Sequence, residues 1–141
     1  MTSTKHHSAS SLRGRAIDCH AHIGVSLKAY ACLEYPYAQT IEGHYYRQNA
    51  TGIDAAVVFP ASSGLFFDPQ AMARGEMRPA MQPLSPSPYA LENRMLMLEV
   101  FSYNPAISDR FIPFAAVDPA RSVSEQLDAL TELENEFPIY G

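Results

Sequence analysis

"GIDAAVVFP", Gly52 to Pro60, is the stretch from which the fold class can be read. From Ile53 to Pro60 it is short, apolar and rich in β-branched residues, and proline closes it. A strand with one wet face alternates apolar and polar residues, whereas a run like this one suits a strand covered on both faces, as in a parallel sheet. Gly52 stands where a left-handed C-terminal cap would end a preceding helix. "QTIEGHYYRQNAT", Gln39 to Thr51, supplies that helix, with Ile41, Tyr45 and Gln48 on one face. His44 in the same helix reads as a surface or boundary residue rather than a ligand.

Downstream, residues Ala61 to Ser87 form a long segment interrupted by Pro69, Pro79, Pro83 and Pro86. Segments of this length are functional lids or disordered insertions in most compact domains, and its "PLSPSP" end has polyproline character. A helix then follows, with Ser87 as N-cap, Pro88 at the first helical position and "YALENRMLMLEVFSYN" running to Pro105. Leu91, Met95 and Leu98 make an i, i+4, i+7 stripe expected to pack in the core. A third strand is expected at Phe111 to Val117. The last helix opens on a capping box of Ser122 and Glu125. Val123, Leu127, Leu130 and Phe137 should face inward there, and Asp128, Glu132, Glu134 and Glu136 outward. Ile139 begins what reads as a fourth strand.

Upstream lies "AIDCHAHIGV", Ala16 to Val25. A strand from Arg15 to Cys19 or His20, with strict alternation, would place Asp18, His20 and His22 on one face. Repeated strand–helix alternation implies right-handed βαβ units and a parallel sheet, and such folds gather ligands at the C-terminal ends of the strands. Two neutral imidazoles there can approach one zinc ion. A catalytic zinc takes three protein ligands and keeps one position open, so a third ligand must come from elsewhere. Asp18 is expected to orient a neighbouring group rather than bind the metal. The plainer alternative is a hydrogen-bonded cluster of Asp18 and the two histidines.

The 141 residues are 47% hydrophobic and 18% charged, ordinary for a globular domain, with a formal net charge of -5. That charge disfavours a nucleic-acid partner, and no run is long enough for a membrane span. Residues 1–14 read as a disordered leader, which removes His6 and His7 from the site, and residues 15–141 as the folded part with an insertion at 61–87. The leader has no apolar signal region, making the cytoplasm the expected compartment, with Cys19 and Cys32 as reduced thiols. Tyr30, Tyr35 and Tyr37 could stack on a substrate, and Arg74 or Arg78 could pair with its carboxylate; loop packing and solvation explain them equally well.

"IDCHAHIG", then "GIDAAVVFP", an asparagine near a helix start, and "NPAISDRFIPFAAVDPARS" together resemble the N-terminal part of the amidohydrolase superfamily. The resemblance is to the amidohydrolase-related branch that includes aminocarboxymuconate-semialdehyde decarboxylase. It implies a TIM (β/α)8 barrel, of which this chain would supply about three βα units and a strand stub. It also implies one divalent ion, most often zinc, with His20 and His22 as metal ligands. The reaction would be hydrolysis or non-oxidative decarboxylation of a small carboxylated or carbonyl substrate. The family's further His ligand, catalytic His and Asp come from its fifth, sixth and eighth strands, so the catalytic residues are expected in a missing C-terminal part. A barrel of this class takes about 250 residues, which agrees with an incomplete chain that is inactive alone, working as a homo-oligomer or with its C-terminal half. Two alternatives stand beside this reading: a phosphoesterase-type metal barrel, and a non-catalytic remnant or interaction module.

Overall fold

The computed structural model describes residues 7, 8, 10–25, 38–61 and 64–141. Tyr30, Tyr35, Tyr37, Cys32 and His6 lie outside them. The chain is α/β. Its sheet contains β1 (Ile17–Val25), β2 (Ala38–Gln39), β3 (Ala55–Pro60) and β4 (Phe111–Pro113), in the order β2-β1-β3-β4. β1, β3 and β4 are parallel, and β2 is antiparallel to the end of β1 through Gly24↔Gln39 and Val25↔Ala38. The helices are α1 (Ile41–Thr51), the short α2 (Pro69–Ala73), α3 (Ala90–Met97) and α4 (Val123–Glu136). None is long and apolar enough to cross a membrane.

β3 matches its expectation, with Ala55, Ala56, Val58 and Pro60 buried. α1 does as well: Thr40 caps its start by accepting from the Gly43 N–H, and Gly52 closes it at φ 72 with its N–H on the Gln48 carbonyl. Ile41 and Gln48 are buried and Tyr45 packs on the core. His44, expected at the surface or the boundary, is buried as well. The main core gathers Ala21, Ile23, Ile41, Ala56, Val58, Leu96, Val100 and Phe111 between the sheet and its helices.

α3 and α4 bury different faces from those the apolar pattern predicts. Met95 is 55% exposed, while Glu92, Asn93, Leu96 and Met97 are buried. On α4, Val123 and Leu127 are exposed and Gln126 and Leu133 are buried. In both helices a polar side chain is turned inward as an anchor. Glu92 accepts from the Leu65 N–H at 2.8 Å. The Asn93 amide bonds both the N–H and the carbonyl of Ala116. Gln126 accepts from the Asp118 N–H and donates to the Asp118 and Arg121 carbonyls. Because buried backbone groups must be satisfied, these amides rotate each helix away from the face a hydrophobic count selects. The expected acidic residues of α4 do face outward, and Glu136 takes a bidentate bond from Arg94.

The caps also differ. α3 starts at Ala90, after Tyr89 at φ 60, and Ser85 rather than Ser87 supplies a side-chain oxygen, accepting from the Leu91 N–H. The helix continues as a π-helical turn over Leu98–Tyr103. Ser122 has φ 46 and its side chain makes no cap bond, so the capping box does not form. β4 stops at Pro113 instead of Val117 because the chain beyond it is held by the Asn93 side chain. The expected fourth strand does not form at Ile139–Gly141, although this tail runs beside β4: Tyr140 N–H donates to the Pro113 carbonyl and Ala115 N–H to the Gly141 carbonyl.

The insertion is an ordered lobe over its described residues. Asp68 caps α2, Phe67 bridges Pro79, and Phe66, Phe67 and Met72 form a second small core. Nor is the described part of the leader detached. His7 donates its N–H to the Tyr140 hydroxyl, and its Nε2 bonds the Phe111 carbonyl at 3.1 Å.

Candidate metal centre

β1 runs past both histidines to Val25, prolonged by its pairing with β2, so the pair lies in the C-terminal half of the strand. Its register against β3 breaks between Asp18 and Ala21: Asp18 pairs with Ala56, and Ala21 with Val58. β1 thus spends one residue more than β3, which is a β-bulge. This changes the facing of the motif. Asp18 lies on the helix-covered side with Ala21 and Ile23, and His20 and His22 lie on the other. Strict alternation, which would group all three, does not hold.

The two imidazoles are brought together. Their Nε2 atoms are 3.0 Å apart and their ring centroids 4.9 Å. Two nitrogens on a tetrahedral zinc, each at about 2.0–2.1 Å, lie about 3.3 Å apart, so the pair fits one ion with a small opening of the rings. His22 Nδ1 bonds the Pro60 carbonyl at 3.0 Å. A carbonyl only accepts, so the ring proton is on Nδ1 and the Nε2 lone pair points at the partner ring; this is the tautomer of a metal-ligating histidine. The proton between the two rings accordingly belongs to His20. His20 is exposed and its ring packs 4.8 Å from that of Phe59, which meets Phe114 edge-on at 5.5 Å.

Asp18 touches neither ring. Its Oδ1 accepts the His20 backbone N–H at 3.1 Å, and its Oδ2 is 3.9 Å from His44 Nε2. Burial lowers the His44 pKa more than the neighbouring Asp18 raises it. Among the described residues no group of three His, Cys, Asp or Glu side chains could hold a metal. The candidate site among the described residues therefore consists of the His20 and His22 pair alone. Arg74 and Arg78 pair with Glu76 and Asp68 inside the insertion lobe. Cys19 is a free, exposed thiol.

Sequence reasoning missed His44. Its one available signal was the i, i+3, i+7 placement with Ile41 and Gln48 on the face that α1 buries. No protein-family model, curated protein or solved structure matches the chain.

Proposed function

We propose that this chain is the N-terminal section of a metal-dependent (β/α)8-barrel enzyme of the amidohydrolase-related type. Its reaction class is hydrolysis or non-oxidative decarboxylation of a small carboxylated or carbonyl substrate. The observation that carries the reading is the His22 ring, locked by the Pro60 carbonyl so that its Nε2 lone pair meets His20 at 3.0 Å. A chance histidine pair on a strand has no reason to combine one ring locked with its Nε2 lone pair outward and a second ring whose Nε2 meets that lone pair. The parallel order β1-β3-β4, with the tail beside β4, supports the barrel reading.

His20 and His22 would hold the ion, most often zinc in such sites. Zinc supplies Lewis acidity toward a substrate carbonyl or carboxylate. Phe59 and Phe114 form an apolar wall beside the pair and would exclude water from one side of a bound substrate. The remaining ligand and the general acid or base would come from chain beyond Gly141 or from a partner chain. The reduced cytoplasm is the compartment proposed, and no nucleic-acid or membrane partner is invoked.

The test is metal content of the protein expressed with everything its reading frame encodes after Gly141. One zinc per chain is expected, lost in His20→Ala and in His22→Ala with circular dichroism unchanged. Full zinc retention in both variants would overturn the proposal, and two or three ions per site would favour a phosphoesterase barrel instead.

A further inference from the structure

We infer that Gln39, His44 and Asp18 form a positioning chain behind β1, holding the bulge that turns His20 and His22 away from the helix layer; the inference rests on the metal reading above. The helix-facing side of a buried parallel strand is ordinarily apolar, since a polar group there loses hydration it must regain from partners. Here β1 carries a carboxylate that faces an imidazole from α1, and that imidazole lies against the Phe111 ring.

Each link has a defined atom. Gln39 Nε2, an amide donor, lies 2.7 Å from His44 Nδ1, so that nitrogen accepts and the neutral ring carries its proton on Nε2. His44 Nε2 is buried, has no hydrogen-bond partner among the described residues, and is 3.9 Å from Asp18 Oδ2. The distance exceeds a hydrogen bond, yet the donor faces a carboxylate that a small rotation would bring into reach. Asp18 Oδ1 accepts the His20 N–H at 3.1 Å and thereby secures the extra residue of the bulge. The chain begins on β2, whose Gln39 pairs with Gly24 of β1. β1 is thus gripped on both sides of the histidine pair, at Asp18 before it and at Gly24 after it. Removing the Asp18 acceptor would free the His20 amide to rejoin a regular ladder, and a regular ladder reverses which face the imidazoles occupy.

The experiment is a zinc titration of the protein with its full reading frame, comparing His44→Leu with His44→Gln and Asp18→Ala with Asp18→Asn. Removing a group that orients a metal ligand costs about 10- to 100-fold in metal affinity, and that loss is expected for His44→Leu and Asp18→Ala. The Gln Nε2 donor reaches the place of the ring Nε2, and the Asn Oδ1 still accepts from His20, so both conservative variants should recover most of it. The His20 amide resonance, followed by NMR without metal, should move in the two disruptive variants and return in the conservative ones. Wild-type zinc affinity together with an unmoved His20 amide in His44→Leu would overturn the inference and leave the metal reading intact. A wild type that binds no zinc, with the His20 amide still responding in this pattern, would defeat the metal reading while the control of the bulge stood. Should Asp18→Ala fail to fold, the two His44 variants decide.

Discussion

Replacing Asn93 should show how far a single side-chain amide stabilises the junction between α3 and the chain leaving β4. Asn93 is 4% exposed. Its Nδ2 donates to the Ala116 carbonyl at 2.9 Å and its Oδ1 accepts the Ala116 N–H at 2.8 Å, as a neighbouring strand would. Asn93→Ala removes two hydrogen bonds of about 1 kcal/mol net each, and leaves two backbone groups whose desolvation costs about 1–3 kcal/mol apiece if water cannot reach them. Ala116 is half-buried, so water recovers part of that cost, and the expected loss is about 2–4 kcal/mol. A chain of this length is stable by about 7–20 kcal/mol in all. Asn93→Asp sharpens the test. Ionised, it keeps the acceptor for the Ala116 N–H but sets a negative oxygen against the Ala116 carbonyl; protonated, it can donate to that carbonyl. Its folded pKa should therefore be raised. The variant should be closest to wild type below about pH 4, the unfolded Asp value, and lose stability relative to wild type as pH rises through the folded value. The assay is urea unfolding followed by circular dichroism, across pH 3.5 to 7. A loss under about 1 kcal/mol for the Ala variant, or a pH-independent offset for the Asp variant, would refute the reasoning.

Two further outcomes are expected. Burial raises the pKa of Glu99, the nearby Glu42 raises it further, and the Ile41 N–H that it accepts opposes both. A raised folded pKa means a contribution present below the unfolded value and lost as pH rises, so Glu99→Gln, which keeps the acceptor for Ile41, should match or exceed wild-type stability at pH 7. A lower Tm for that variant at pH 7 would contradict the assignment. Gly24 has φ 117, and a Cβ there would lie 3.3 Å from the Ala61 Cβ. Gly24→Ala should cost about 1–3 kcal/mol and weaken zinc binding by displacing the end of β1 that follows His22; an unchanged Tm would show that the backbone relaxes freely.

Much of the fold was legible because it rests on local rules. The Ile53–Pro60 run, the Gly52 cap and the strand–helix alternation each follow from a handful of neighbouring residues, and the structure has all three. The inward faces of α3 and α4 were not legible. Hydrophobic periodicity counts apolar side chains, and Asn93 and Gln126 are buried for the backbone groups they satisfy far along the chain. The insertion between 61 and 87 reads from sequence only as a lid or a disordered insertion for a related reason: its order comes from a bridge, a capped turn of helix and the distant Glu92, none of which has a periodic signature.

The candidate site divides in the same way. The sequence by itself determined that His20 and His22 share a strand face, because side chains two residues apart do so wherever no bulge falls between them, and here the bulge comes before Ala21. Only the tertiary structure decided what surrounds them. The register against β3 introduces the bulge that moves Asp18 to the opposite face. The end of β3 brings the Pro60 carbonyl that sets the His22 tautomer. The packing of α1 buries His44 behind the strand. Each depends on residues tens of positions apart in the chain meeting across a sheet, and no window of local sequence contains that meeting.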